Sequence, residues 1–362
     1  MANTIRIKAT IIAICTWIFY YWIRRLFSIF HINLPKWTIV LIAACIAIFI
    51  AIFIAVISIS SFTYKWSNNK ILDIFGTIST RLLTLWVILF TLLLVENVIS
   101  IRYKPNPRIT TWIIIVILCL WIFFSLKTKV TTYEINTDKI NKDTRILLVS
   151  DIHVDHIYKD FHVKKIQKII ESEKPDFVLI AWDMMNKANY DYSKYFWILK
   201  NKDIPIFAVM WNHDMMWNKE SIDDIQKNSS IKLLKNESIE YEWIQIIWII
   251  DKSIWWDNTL QENLEKSKID KNSNNFWILI THQPISLEKL KDYPIDLEVA
   301  GHTHRWQVFW LRKVVEMVND YWYWRYDENW KTAIVTQWIW TWGLPFRLWT
   351  QSEMVIINLK KN

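Results

Sequence analysis

Four long apolar runs fill the first 130 residues, and short apolar runs alternate with polar stretches after that. The long runs are Ala9–Ile23, Thr38–Ser60, Leu82–Ile101 and Ile109–Leu126. Thr38–Ser60 carries no charge and is long enough to span roughly 30 Å of hydrocarbon. Lys and Arg are confined to the gaps between the runs. That is the arrangement of a multi-helix, all-α transmembrane anchor rather than of buried core helices. Arg24-Arg25 and three further runs follow the first one, and no small-residue cleavage site is evident, so it is not read as a removable signal. Four spans place both ends of the anchor on one side, where seven Lys/Arg stand against six on the other, so charge gives no orientation. Glu96 lies inside the third run. An ionisable group at membrane depth is a functional candidate by default, but near a helix end a snorkelling structural role fits as well.

From Tyr133 the pattern changes. Arg145–Ser150, Asp176–Ala181 and Ile204–Met210 read as buried strands. Between them, Asp160–Ser172 and Asp191–Lys200 read as helices, the first with Phe161, Val163, Ile166, Ile169 and Ile170 on one face. Ile239–Ile250 predicts a hairpin turning at Glu242-Trp243. Phe276–Ile280, Leu297–Ala300, Lys331–Gln337 and Met354–Leu359 are further strands. The alternation predicts a layered α/β domain. The expected organisation is therefore a membrane domain over 1–130 and an α/β domain over 131–362.

Charge sharpens that division. Of the 43 Lys/Arg and 35 Asp/Glu, 13 and two fall before residue 130, which leaves the second domain mildly acidic. The net charge of +8 thus belongs to the membrane flanks, and nucleic acid is excluded as an expected partner, because a duplex-binding face needs clustered cations on the folded domain. Cys15, Cys45 and Cys119 all lie in the apolar runs, so the second domain depends on neither disulfide nor thiolate metal site.

Two counts are abnormal. Roughly 25 glycines are expected in a chain of this size, but there are 3, while Trp occurs 25 times. Many of the tryptophans stand where turns belong, as in Trp255-Trp256-Asp257-Asn258 and Asn329-Trp330-Lys331. Glycine is the default residue where φ must be positive. Most of these tryptophans are therefore expected to be glycines encoded by a reassigned UGA codon, notably Trp182, Trp211 and Trp306.

The chemistry collects at five strand ends. Asp151-Ile152-His153 places a carboxylate and an imidazole two residues apart, which turns them to one side. Asp183 follows Ala181-Trp182 and can bridge two ions through its two oxygens. Asn212-His213-Asp214 follows the third strand, His282 follows Thr281, and His302-Thr303-His304 follows Gly301. Loops at the carboxyl ends of strands in open α/β sheets are where ligands collect. One Asp-x-His arises by chance; five such blocks in order, holding five of the eight histidines, do not.

In order and approximate spacing these blocks resemble those of the calcineurin-like metallophosphoesterase family, D-x-H, G-D, G-N-H-(D/E), H and G-H-x-H. The resemblance covers about residues 145–360 and is strongest to its membrane-linked bacterial branch, whose C-terminal signature Thr341–Leu348 is similar. It implies a layered α/β/β/α sandwich with mixed sheets. It also implies a centre of two divalent ions (Mn, Fe or Zn). Asp151, His153, Asp183 and His304 would hold one ion, and Asp183, Asn212, His282 and His302 the other. His213 and Asp214 are the implied catalytic residues. Where the family has Gly, this chain has Trp182, Trp211 and Trp306. Where many relatives carry an Asp orienting the catalytic His, it has Asn186, which weakens acid catalysis but not metal binding. The expected activity is hydrolysis of a phosphoester or pyrophosphate by a metal-activated hydroxide. The expected protein is multi-pass in the cell membrane, with a phosphate-ester substrate that is membrane-associated and lipid-linked. A UDP-2,3-diacylglucosamine-type pyrophosphohydrolase and a non-catalytic membrane sensor or scaffold are the alternatives; the complete ligand set argues against the last. The codon expectation has a direct test: the codons for Trp182 and Trp211 should read UGA, and UGG at both positions ends it.

Overall fold

The computed structural model describes residues 106–154, 159–181, 193–200, 203–209, 219–234, 238–249, 260–267, 274–301, 319–337 and 351–362, with scattered positions besides. The first three apolar runs therefore lie almost wholly outside the described residues. The chain divides into two compact units, 1–121 and 122–362.

Helix α1, Pro107–Leu126, is the fourth run. Its 20 residues make a rod of roughly 30 Å. Ile109, Trp112, Ile113, Val116, Leu120 and Phe123 recur at helical spacing along one face, and all are exposed. Trp121 is buried, and the Thr110 hydroxyl donates to Glu96 Oε1 at 2.8 Å. Glu96 is itself buried, so its carboxyl ties α1 to the preceding run. Among the described residues no helix is long and apolar enough to cross a membrane. The anchor expected over 1–130 thus finds no described helix that meets both conditions.

The second unit is built on two sheets. The first has the order β1-β12-β2-β3-β4-β5: Thr128–Thr137, Ser352–Lys361, Thr144–Ser150, Phe177–Ala181, Ile206–Val209 and Ile231–Leu234. The second has the order β10-β11-β9-β8-β7-β6: Trp324–Glu328, Lys331–Val335, Leu297–Ala300, Phe276–Thr281, Ile244–Trp248 and Ser238–Tyr241. Both sheets are mixed. In the first, β12 and β2 run antiparallel and the other pairs run parallel. In the second, β10–β11 and β6–β7 are antiparallel hairpins around a parallel centre.

Alternation along each strand sorts its side chains into layers. Ile146 and Leu148 of β2 meet Ile246, Ile278 and Val299 of the second sheet in a core between the sheets. Leu147 and Val149 face the other way, onto helix α2, Phe161–Glu173, through Val163, Ile166 and Ile170. Of the five residues the sequence puts on this face, Val163, Ile166 and Ile170 are buried, Ile169 is half-buried and Phe161 is exposed. The second sheet's outer face carries Trp277 and Leu279 against Leu264, Leu287 and Leu290. The result is the expected α/β/β/α layering.

The misses have physical causes. Strand β1, Thr-Lys-Val-Thr-Thr-Tyr-Glu-Ile-Asn-Thr, is half-buried and at a sheet edge, so it carries no apolar run. Four-residue β5 is too short to show a period. The helix expected over 191–200 is one α-turn, Ser193–Phe196, running into a 3-10 turn, Trp197–Leu199.

Several tryptophans sit where the backbone asks for another residue. The β10–β11 hairpin turns at Asn329 (φ 51) and Trp330 (φ 63). Two positive φ values in a two-residue hairpin loop define a turn for which Asn-Gly is the strongest sequence. Trp330 is fully exposed and Trp324 has φ 95. The indole Nε1 atoms of Trp243 and Trp277 are buried with no acceptor among the described residues. A buried donor left unmade costs about 1–3 kcal/mol. We expect Trp330→Gly to raise stability by about 1–2 kcal/mol, the cost of a left-handed backbone at a side-chain-bearing residue. A urea titration reads this as a higher midpoint at unchanged slope; an unchanged or lower midpoint contradicts it.

Candidate metal centre

The carboxyl ends of β2, β8 and β9 converge on one point. Past Ser150 the chain leaves β2 through Asp151 (φ 55) and His153 (φ 42), both in the left-handed region. Such backbone costs about 1–3 kcal/mol at a non-glycine residue and clusters at functional sites. Here it folds the two side chains together, with Asp151 Oδ1 3.9 Å from His153 Nε2. The carboxylate is fully buried and the imidazole nearly so. The Ser150 hydroxyl donates to the other carboxylate oxygen, Oδ2. The i, i+2 expectation for this pair is thus met.

Gly301, at the end of β9, closes onto the same atoms. A Cβ there would overlap Ser150 Oγ and lie 2.7 Å from Asp151 Oδ2. Glycine is needed at this position for close approach rather than for backbone freedom. The Gly301 N–H donates to the His282 carbonyl at 3.2 Å, which brings the end of β8 alongside. His282 is buried. Two more bonds gather loops here: Val154 N–H to the Met184 carbonyl at 3.0 Å, and Ile339 N–H to the Ser150 carbonyl at 3.2 Å. Met184 follows Asp183 in the chain, so the second strand's loop reaches the first.

Of the nine expected site residues, the structure describes Asp151 and His153, whose side chains are 3.9 Å apart, and His282, whose backbone carbonyl is bonded to Gly301. Asp183, Asn212, His213, Asp214, His302 and His304 lie outside the described residues, as do Trp182, Asn186, Trp211 and Trp306. Among the described residues no three His, Cys, Asp or Glu side chains gather as a metal site. The donor set that is placed, one buried carboxylate and two imidazoles without thiolate, suits Mn, Fe or Zn rather than Ca.

Sequence reasoning overlooked Ser150 and Glu298. Ser150 reads as an ordinary strand residue. Glu298 had a signal: an acid in the middle of the apolar strand Leu297-Glu298-Val299-Ala300. Burial pushes its carboxyl up to about 8, against the opposing pull of hydrogen bonds from Thr281 and Ile285, so it is uncharged at neutral pH.

Residues 144–306 match the family model of the calcineurin-like phosphoesterases. Over these residues the chain is similar to a calcineurin-like phosphoesterase domain. The likeness is to metal-dependent hydrolases, and three relatives extend it. An uncharacterized metallophosphoesterase of Campylobacter jejuni is 30% identical over 244 residues, covering 65% of this chain and 64% of its own. The UDP-2,3-diacylglucosamine pyrophosphatase LpxG of Chlamydia trachomatis is 23% identical over 216 residues, covering 45% of this chain and 64% of its own. A transmembrane protein with metallophosphoesterase domain from Danio rerio is 25% identical over 261 residues, covering 64% of this chain and 57% of its own. The chain thus spans just under two thirds of the length of the relatives it matches.

Gly301→Ala should destabilise the domain by about 1–3 kcal/mol, as overpacking does, and should lower its metal content. Chemical denaturation and metal analysis of the purified variant check this. Wild-type values in both would show that the ends of β2 and β9 have room between them.

Proposed function

We propose that the chain is a membrane-anchored phosphohydrolase that cleaves a phosphoester or pyrophosphate bond of a membrane-associated substrate. The observation that carries this reading is the convergence at Gly301 of the strand ends that bear Asp151, His153 and His282, in a region that matches the calcineurin-like phosphoesterases. Asp151, His153, Asp183 and His304 would hold one divalent ion, and Asp183, Asn212, His282 and His302 a second. Two such ions, when bound, supply a water of lowered pKa and positive charge facing the phosphoryl oxygens.

The chain's own residues do the rest. Asp151 enters the centre already desolvated, with one oxygen accepting from Ser150, so its carboxylate is oriented before any ion arrives. Left-handed backbone at 151 and 153 fixes the two donors on one side. Gly301 lets the ends of β2 and β9 approach with no side chain between them. His213, beside the ligand Asn212, is assigned to hold a proton for the leaving oxygen, with Asp214 as its catalytic neighbour.

The exposed apolar stripe of α1 supports the anchor. An unbroken stripe of that length facing water would be a liability, whereas facing lipid it is at home. The hydrogen bond from Thr110 to Glu96 satisfies the one acid of the third run in the same setting. The likeness to LpxG favours a second, narrower reading: that the bond cleaved is the pyrophosphate of a UDP-linked diacyl sugar.

The test uses the full chain in membrane vesicles and a chromogenic phosphodiester. Chelation should abolish hydrolysis, and added Mn²⁺ should restore it. His213→Ala should lower kcat by about 10²–10⁴-fold, the usual contribution of a positioned acid, with metal content intact. Loss of metal in that variant would instead make His213 a ligand.

A further inference from the structure

We propose that Glu298 is a positioning residue that holds the loop carrying His282 in its metal-binding shape. The proposal rests on the reading of His282 as a metal ligand.

Glu298 lies in mid-β9 and is fully buried. Its Oε1 accepts two hydrogen bonds, from Thr281 Oγ1 at 2.8 Å and from the Ile285 N–H at 2.7 Å. These donors bracket His282-Gln283-Pro284, the turn out of β8. The His282 carbonyl takes the Gly301 N–H. The turn is therefore pinned at three points, all of them by β9 or the residue that ends it. Farther along, Asp320 accepts from Ser286 N–H, and Tyr321 OH accepts from Leu287 N–H, at 3.3 and 3.0 Å. Those bonds hold the next segment but not the two ends of the His282 turn.

A carboxyl is an expensive way to fill a strand. An apolar residue of similar size would pack beside Leu279, its neighbour across the β8–β9 pair, without the desolvation that burying an acid incurs. It would also leave the Thr281 hydroxyl and the Ile285 N–H without their acceptor, and a released turn would let the His282 imidazole wander. Groups that orient a ligand from behind set affinity nearly as strongly as the ligand itself. Glu298 Oε2 has no partner among the described residues, so the carboxyl serves the turn through one oxygen. Being uncharged at neutral pH, it has a close mimic in glutamine, which keeps that accepting oxygen.

The experiment titrates Mn²⁺ into metal-free full-length protein at a temperature where near-UV circular dichroism shows each variant folded. Glu298→Ala should bind Mn²⁺ about 10–100-fold more weakly, and Glu298→Gln should restore affinity to near the wild-type value. A role in stability alone would lower the melting temperature of Glu298→Ala and leave the affinity of the folded protein unchanged, which would overturn the proposal. Thr281→Val removes one of the two donors at little change of shape and should weaken binding in the same direction. Should Glu298→Ala fail to fold, wild-type affinity in Thr281→Val would overturn the proposal by itself. His282→Ala is the control. Loss of Mn²⁺ there with none in Glu298→Ala refutes the positioning role alone, whereas wild-type binding in His282→Ala removes the ligand reading and this proposal with it.

Discussion

The second unit turns on a contact that only a hydrogen atom permits. At Gly301 the end of β9 comes so near the end of β2 that no Cβ fits between it and the Ser150–Asp151 side chains. The two sheets are joined along their length by apolar side chains that interdigitate, and sheets so packed stand about 10 Å apart. At the carboxyl ends that spacing must collapse if donors from both sheets are to reach one ion. Gly301 provides the collapse, and its N–H fastens the end of β8 in the same act. Asp151 and His153 then need unusual backbone to turn into the space, and both have it. Close approach, left-handed φ and a buried carboxylate are three consequences of one requirement: hard, oriented donors where two sheets meet.

Much of this was legible in the sequence because the chemistry follows the strands. Strands buried on both faces appear as short apolar runs, so β2, β3, β8 and β9 could be placed, and a polar residue just past such a run had to lie at a sheet end. Asp151 and His153 were paired by the two-residue period alone, and their convergence follows from the backbone the structure shows. What was not legible lay where packing gives no period. Edge strand β1 is a string of Thr, Lys and Glu whose place is set by its pairing with β12 from the far end of the chain. Glu298 was visible as an oddity, yet its partners, Thr281 and Ile285, belong to a different strand and its loop. No periodic reading links residues across a parallel pair.

Under the proposed anchor, the first unit would meet a different solvent. In α1 the usual amphipathic logic is inverted: the apolar stripe is exposed, and the side carrying Trp121 and Thr110 packs inward. A water-facing helix would be sorted the other way. Glu96 illustrates the same inversion, since its carboxyl is buried against a threonine of a neighbouring run rather than displayed to solvent. Both features are what the proposed anchor would require, because a polar group inside a bilayer must find its partner within the protein.

The tryptophans bear on the site through the same steric argument as Gly301. A side chain at 301 would displace the Ser150 and Asp151 side chains, and there the chain has one of its 3 glycines. A side chain at 330 is merely strained, because the turn is at the surface and the indole can hang in solvent. If UGA specifies glycine, both positions carry the residue their backbone calls for, and they differ only in which glycine codon encodes them. The reading extends to Trp182 and Trp211, which stand immediately before Asp183 and Asn212. A turn that must deliver a ligand on its next residue has the same need for a bare backbone that Gly301 displays. The codon expectation would thus put a glycine immediately before two of the expected ligands.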